Sequence, residues 1–90
     1  MKENRREILR LADRYGAINL RVFGSAARGD DTPESDVDLL VEAGPKRAPF
    51  FPAGLKEDLE LLLKRRVDIA TPGALHRYIK DRVLREARPL

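Results

Sequence analysis

The sequence predicts an α/β fold in which one three-stranded mixed sheet is covered by helices. Three observations predict it. Three short apolar segments carry β-branched residues, helical periodicity fills the chain around them, and chemistry-bearing residues stand at the segment ends.

Residues 3 to 14 place Ile8, Leu11, Ala12 and Tyr15 at helical spacing, so a first helix is expected to cover the sheet. INLRVF, with Ile18, Leu20, Val22 and Phe23, reads as the first strand, and Gly24 and Ser25 follow at its C-terminal end. Ser25 can open a helical turn through Ala26 to Arg28, and the turn formers from Gly29 to Ser35 predict a loop. Asp36-Val37-Asp38-Leu39-Leu40-Val41 reads as a second strand opening with two acids. Gly44 to Pro52 is a loop holding Phe50 and Phe51, with burial against the next helix slightly favoured. Leu55, Leu59, Leu62 and Leu63 give a crossover helix its buried stripe. Arg65-Arg66-Val67-Asp68-Ile69-Ala70 is the third strand. Thr71-Pro72 suits the cap and first turn of a last helix, in which Leu75, Ile79 and Val83 are expected to pack on the core. His76 reads as a surface or capping residue.

The chemistry lies between Gly24 and Glu42. Glycine lets a backbone approach an anion closely, Ser25 adds a hydroxyl donor, and the N–H groups of a first helical turn face outward to meet a phosphate. In a strand, residues i and i+2 share a face, so Asp36 and Asp38 become neighbours. At about 5 Å and an effective dielectric near 20, their repulsion is roughly 3 kcal/mol. A divalent cation turns that repulsion into ligation, and carboxylates joined to substrate phosphates suit Mg²⁺. Asp68, flanked by Val67 and Ile69, offers a third acid. A right-handed crossover makes the second and third strands parallel neighbours, with their acids near one end. The first strand must run antiparallel to both for Gly24 and Ser25 to reach those acids. Taken singly, Gly24-Ser25 is an ordinary strand-to-helix turn, Asp36 and Asp38 are solvated acids, and Asp68 is a partner for arginine. The EF-hand alternative fails because DDTPESDVD lacks that motif's spacing. Asp30, Asp31 and Glu34 read as turn and solvent-facing residues.

Gly24-Ser25, Gly29 and Ser35-Asp36-Val37-Asp38-Leu39 match the G-S-x(n)-[ST]-D-x-D-[LIV] signature, so the chain resembles the DNA polymerase β-like nucleotidyltransferases. The longer GSAARGDDTPESDVDLLVE is similar to their smallest branch, the minimal nucleotidyltransferase (MNT) domains, antitoxins of HEPN ribonuclease toxins. The likeness spans nearly the whole chain and implies the order α-β-α-β-α-β-α with residues 1–90 as a single domain. It implies that Gly24 and Ser25 hold the β and γ phosphates of ATP, with Arg28 contacting phosphate. It further implies that Asp36 and Asp38 bind two catalytic Mg²⁺ ions, with Asp68 as the third catalytic carboxylate, at the metal that activates the attacking hydroxyl. The implied reaction is transfer of AMP to a tyrosine hydroxyl of a HEPN-type partner, releasing pyrophosphate and silencing the toxin. The alternative is an inactive antitoxin that neutralises its partner by occlusion.

Composition bounds these readings. Ninety residues with 42% hydrophobic content suit a small globular core and leave little room for a separate acceptor-binding domain. The 18 basic and 15 acidic residues leave +3, too little to argue a nucleic-acid partner. The run Arg77, Lys80, Arg82, Arg85 and Arg88 reads as a solvated helix face, or else as an attraction for an acidic partner or RNA. No run of about 18 apolar residues and no signal-like N-terminus is present, so a soluble cytoplasmic protein without a membrane partner is expected. Without cysteine there are no disulfides or thiolate metal sites. Glutamine is absent and asparagine occurs only as Asn4 and Asn19, a scarcity of labile amides that fits a heat-stable protein.

Overall fold

Alternating and helical apolar patterns become a sheet with helices packed on it in the computed structural model, which describes residues 4–30, 32–46 and 48–90. The elements run α1 (Arg5–Arg14), β1 (Ala17–Phe23), α2 (Ser25–Arg28), β2 (Val37–Ala43), α3 (Ala53–Leu63), β3 (Val67–Ala70), α4 (Arg77–Glu86) and β4 (Arg88–Pro89). A 3-10 turn, Pro72–Ala74, lies between β3 and α4.

The sheet order is β3-β2-β1-β4, four strands rather than the three expected. The additional strand is two residues long, pairing Arg88 with Val22 and Pro89 with Arg21 antiparallel on the open edge of β1. A segment that short carries no alternation, and a proline on an edge strand loses no ladder bond. The directions inferred for the other strands hold: β1 is antiparallel to β2, and β2 is parallel to β3. The register places Phe23 opposite Asp38 and Asp38 opposite Asp68, so one row crosses three strands.

On β2, Val37, Leu39 and Val41 are fully buried and join Ile8 and Ala12 of α1 and Leu55 and Leu59 of α3 in the core. Alternation sends Asp38, Leu40 and Glu42 to the opposite face. Burying each of Leu55 and Leu59 stabilises the fold by about 1.5–3 kcal/mol. Leu62 and Leu63 pack at its margin. Tyr15 follows α1, donates its hydroxyl to Asp58 Oδ2 at 2.6 Å and packs against Gly54, tying the end of α1 to α3. The hydrogen bond to this carboxylate, followed by partial burial and the Asp58 charge, raises the Tyr15 pKa.

Several boundaries differ from expectation. Glu3, the first residue expected in the first helix, lies outside the described residues, as does Asp31. Phe51 packs on the core, whereas Phe50 is exposed. Thr71 and Pro72 lead into the 3-10 turn, while His76 caps α4 by accepting the Tyr78 amide at Nδ1. Leu75 therefore precedes the helix. Val83 is buried, but Ile79 is 46% exposed, so of the expected stripe of Leu75, Ile79 and Val83 only the last member is buried. Among the described residues, no helix is long and apolar enough to cross a membrane.

Candidate active site

β1 ends at Phe23, opposite Asp38, and the chain must then turn sharply to begin α2. Gly24 makes that turn at φ +67° and ψ −145°. A side chain there would overlap the Asp38 carboxylate, so glycine is required both for the backbone angle and for the space. The Gly24 carbonyl accepts the amides of Ala27 and Arg28, each at 3.1 Å. These two amides are thereby used within the turn, and Ser25 and Ala26 carry the first helical N–H groups outside it. Two of the donors expected to face an anion along this turn are thus engaged within it. Gly29 ends α2 in the left-handed region at φ +79°.

Asp36 stands immediately before β2 and not within it. The strand begins only at Val37, whose amide donates to the Arg66 carbonyl at 2.9 Å. Two arginines hold this entry. Arg65 donates from Nε and Nη2 to the Ser35 carbonyl at 3.1 and 2.9 Å, and Arg66 Nε pairs with Asp36 Oδ1 at 3.1 Å. The arginine partner considered for Asp68 is thus found on Asp36. The Thr32 amide donates to the Ser35 hydroxyl at 2.9 Å, closing the loop that delivers Asp36.

Asp38 and Asp68 lie in register on adjacent parallel strands, so their side chains leave the sheet on one face. Burial, followed by the charges of Asp68 and then Asp36, raises the Asp38 pKa, while Arg28 opposes the shift. Asp68, Asp36 and Arg28 therefore all act electrostatically on Asp38. A carboxylate whose ionisation is disfavoured by burial and by two neighbouring acids matches the needs of a hard divalent cation in chemistry and charge. Among the described residues, however, no three acidic or histidine side chains are arranged to enclose an ion. The expected set of Asp36, Asp38 and Asp68 is brought together without forming a closed ligand shell, and the Arg66 guanidinium occupies one side of Asp36.

Arg28 is half-exposed and held by Asp30 Oδ2 at 3.4 Å and Glu86 Oε1 at 3.1 Å. Its pKa is raised, most by the Glu86 hydrogen bond and then by Asp30. Glu86, Arg82 and Arg66 were not among the residues singled out for the site. Arg66 has a sequence signal in its place two residues before Asp68. Glu86 has none, because 58 residues separate it from Arg28.

Residues 5–90 match the family model described as a nucleotidyltransferase domain. Protein adenylyltransferase MntA of Thermococcus cleftensis is 42% identical over 78 residues, covering 84% of this chain and 77% of the relative. A solved structure described as a minimal nucleotidyltransferase superposes with a TM-score of 0.85 at 45% identity, covering 99% of this chain and 91% of the other. A toxin–antitoxin crystal structure with AMP-PNP shares the fold, with a TM-score of 0.78 at 20% identity over 96% of this chain and 71% of the other.

Proposed function

Because this chain belongs to the nucleotidyltransferase domain family, we propose that it transfers AMP from ATP to a tyrosine hydroxyl of a HEPN-type partner toxin and thereby acts as its antitoxin. The observation that carries this reading is the row in which Asp38 faces Asp68 on one side and packs under Gly24 on the other. One carboxylate thus adjoins both the phosphate turn and the second acid strand. The likeness to protein adenylyltransferase MntA supports protein as the acceptor class, and the fold shared with a toxin–antitoxin structure supports a toxin partner.

In this reading Gly24 brings its backbone against the triphosphate, and Ser25 donates its amide and hydroxyl to terminal phosphate oxygens. Arg28 neutralises phosphate charge from the α2 side. Asp36, Asp38 and Asp68 would hold two Mg²⁺ ions, and Arg66 would give up its pairing with Asp36 in that state. Bound metal supplies Lewis-acid stabilisation of the entering and leaving oxygens. The tyrosine oxygen bonds to the α-phosphorus as the α–β phosphoanhydride breaks, the hydroxyl proton passes to solvent water, and pyrophosphate departs. Residues 1–90 act as one domain in the cytoplasm.

The deciding experiment combines the purified protein, Mg²⁺, α-labelled ATP and the protein encoded beside it. Label is expected on the partner's tyrosine, and its transfer is expected to cease when Asp36→Asn and Asp38→Asn are combined. Neutralisation at full strength by that double variant, with no label transferred by the wild type, assigns the chain to occlusion instead.

A further inference from the structure

The Glu86 carboxylate is shared by two arginines from different parts of the chain. It accepts Arg28 Nη1 at 3.1 Å and, through its other oxygen, Arg82 Nε at 3.3 Å. A cavity of about 210 Å³ opens beside them, lined among others by Phe23, Gly24, Arg28, Ile79, Arg82 and Glu86. Arg82 thus borders the same space as the glycine of the phosphate turn. A guanidinium has five N–H donors, and Arg82 uses only Nε in a protein hydrogen bond among the described residues. Arg28, by contrast, is held through both Nε and Nη1.

The sheet order gives these groups a direction. Asp68 lies on β3, Asp38 on β2 and Gly24 at the end of β1, while α4 leads into β4 on the far side of β1. Moving away from the acids, the site passes the glycine turn and reaches Arg28 and Arg82. A nucleoside triphosphate with its reacting phosphate at the acids has two further phosphates to place, and this path offers them guanidinium donors. We infer that Arg82 is a second arginine of the triphosphate grip, contacting the β and γ phosphates, with Glu86 holding Arg82 and Arg28 at the cavity before nucleotide arrives. The inference rests on the nucleotidyltransferase reading above and extends its phosphate site onto α4. Guanidinium suits this role because its planar donors engage phosphate oxygens in pairs.

Titration calorimetry with a non-hydrolysable ATP analogue and, separately, with AMP tests the assignment, because the two ligands differ by the β and γ phosphates. Arg82→Ala is expected to weaken binding of the triphosphate roughly tenfold, as for loss of a charge-assisted phosphate contact, and to leave AMP binding unchanged. Arg82→Lys should recover part of the loss. The side chain is 73% exposed, so melting temperature should not change. Undiminished triphosphate affinity in Arg82→Ala overturns the assignment, as does an equal loss for both ligands. A wild-type protein that binds neither nucleotide overturns the underlying reading itself, a result separable from any effect of Arg82.

Discussion

Gly24 and Asp38 are packed so closely that a methyl group on Gly24 would overlap the carboxylate. The Gly24 turn and the central acid thus share one contact, although 14 positions separate them. Gly24→Ala must both accept the positive φ and push Asp38 aside. It is expected to cost about 1–3 kcal/mol of stability from backbone strain and to lower AMP transfer about 100-fold through displacement of the site. Denaturant melts and label-transfer rates check the two effects.

Asp38 has a second predicted consequence, seen without metal. Its pKa is raised in the folded protein, so the fold favours the protonated form more than the unfolded chain does. The stabilisation this gives is present below the ordinary carboxylate pKa, near 4, and is lost as pH rises through the raised value. Asp38→Asn should therefore stabilise the metal-free protein at neutral pH while abolishing transfer. Solvent screening limits the gain to about 1 kcal/mol, or roughly 4–8 °C in melting temperature for a domain of this size. The advantage should vanish in melts below about pH 4.

Arg66 on Asp36 predicts a competition. Mg²⁺ should raise the melting temperature of the wild type, a chelator should reverse the rise, and Asp36→Asn should reduce it. An exposed ion pair contributes roughly 0.2–1 kcal/mol, so Arg66→Ala should bind Mn²⁺ or Mg²⁺ more tightly, by at most about fivefold. Calorimetric metal titration reads this without reference to activity.

Leu59 tests how the helices support the sheet that carries the acids. It is fully buried on α3 in the cluster that includes Val37, Leu39 and Val67. Leu59→Ala is expected to cost about 2–5 kcal/mol, with transfer activity at low temperature largely retained because the site lies on the opposite face. Chemical denaturation with parallel activity assays checks both statements.

Much of this fold could be read from local patterns. The core positions Ile8, Ala12, Leu55 and Leu59 follow helical spacing, and Val37, Leu39 and Val41 follow strand alternation, because burial repeats with the period of the element. Strand directions were inferable because Gly24, Asp38 and Asp68 had to meet. The fourth strand was not inferable, since Arg88 and Pro89 have no pattern of their own and are ordered by pairing with β1. Ile79 misled for a related reason: its spacing fits a buried face, but α4 leaves it nearly half exposed.

The site divides in the same way. The sequence alone determined the residue types of the turn and the acids, because glycine's freedom, the serine donor and the period of a strand are properties of a few neighbouring residues. Only the tertiary structure decided that Asp38 lies under Gly24, that Arg66 sits on Asp36, and that Glu86 ties Arg28 to Arg82. Those pairings join residues distant in the chain, and their existence depends on strand register and helix placement, which no local pattern encodes.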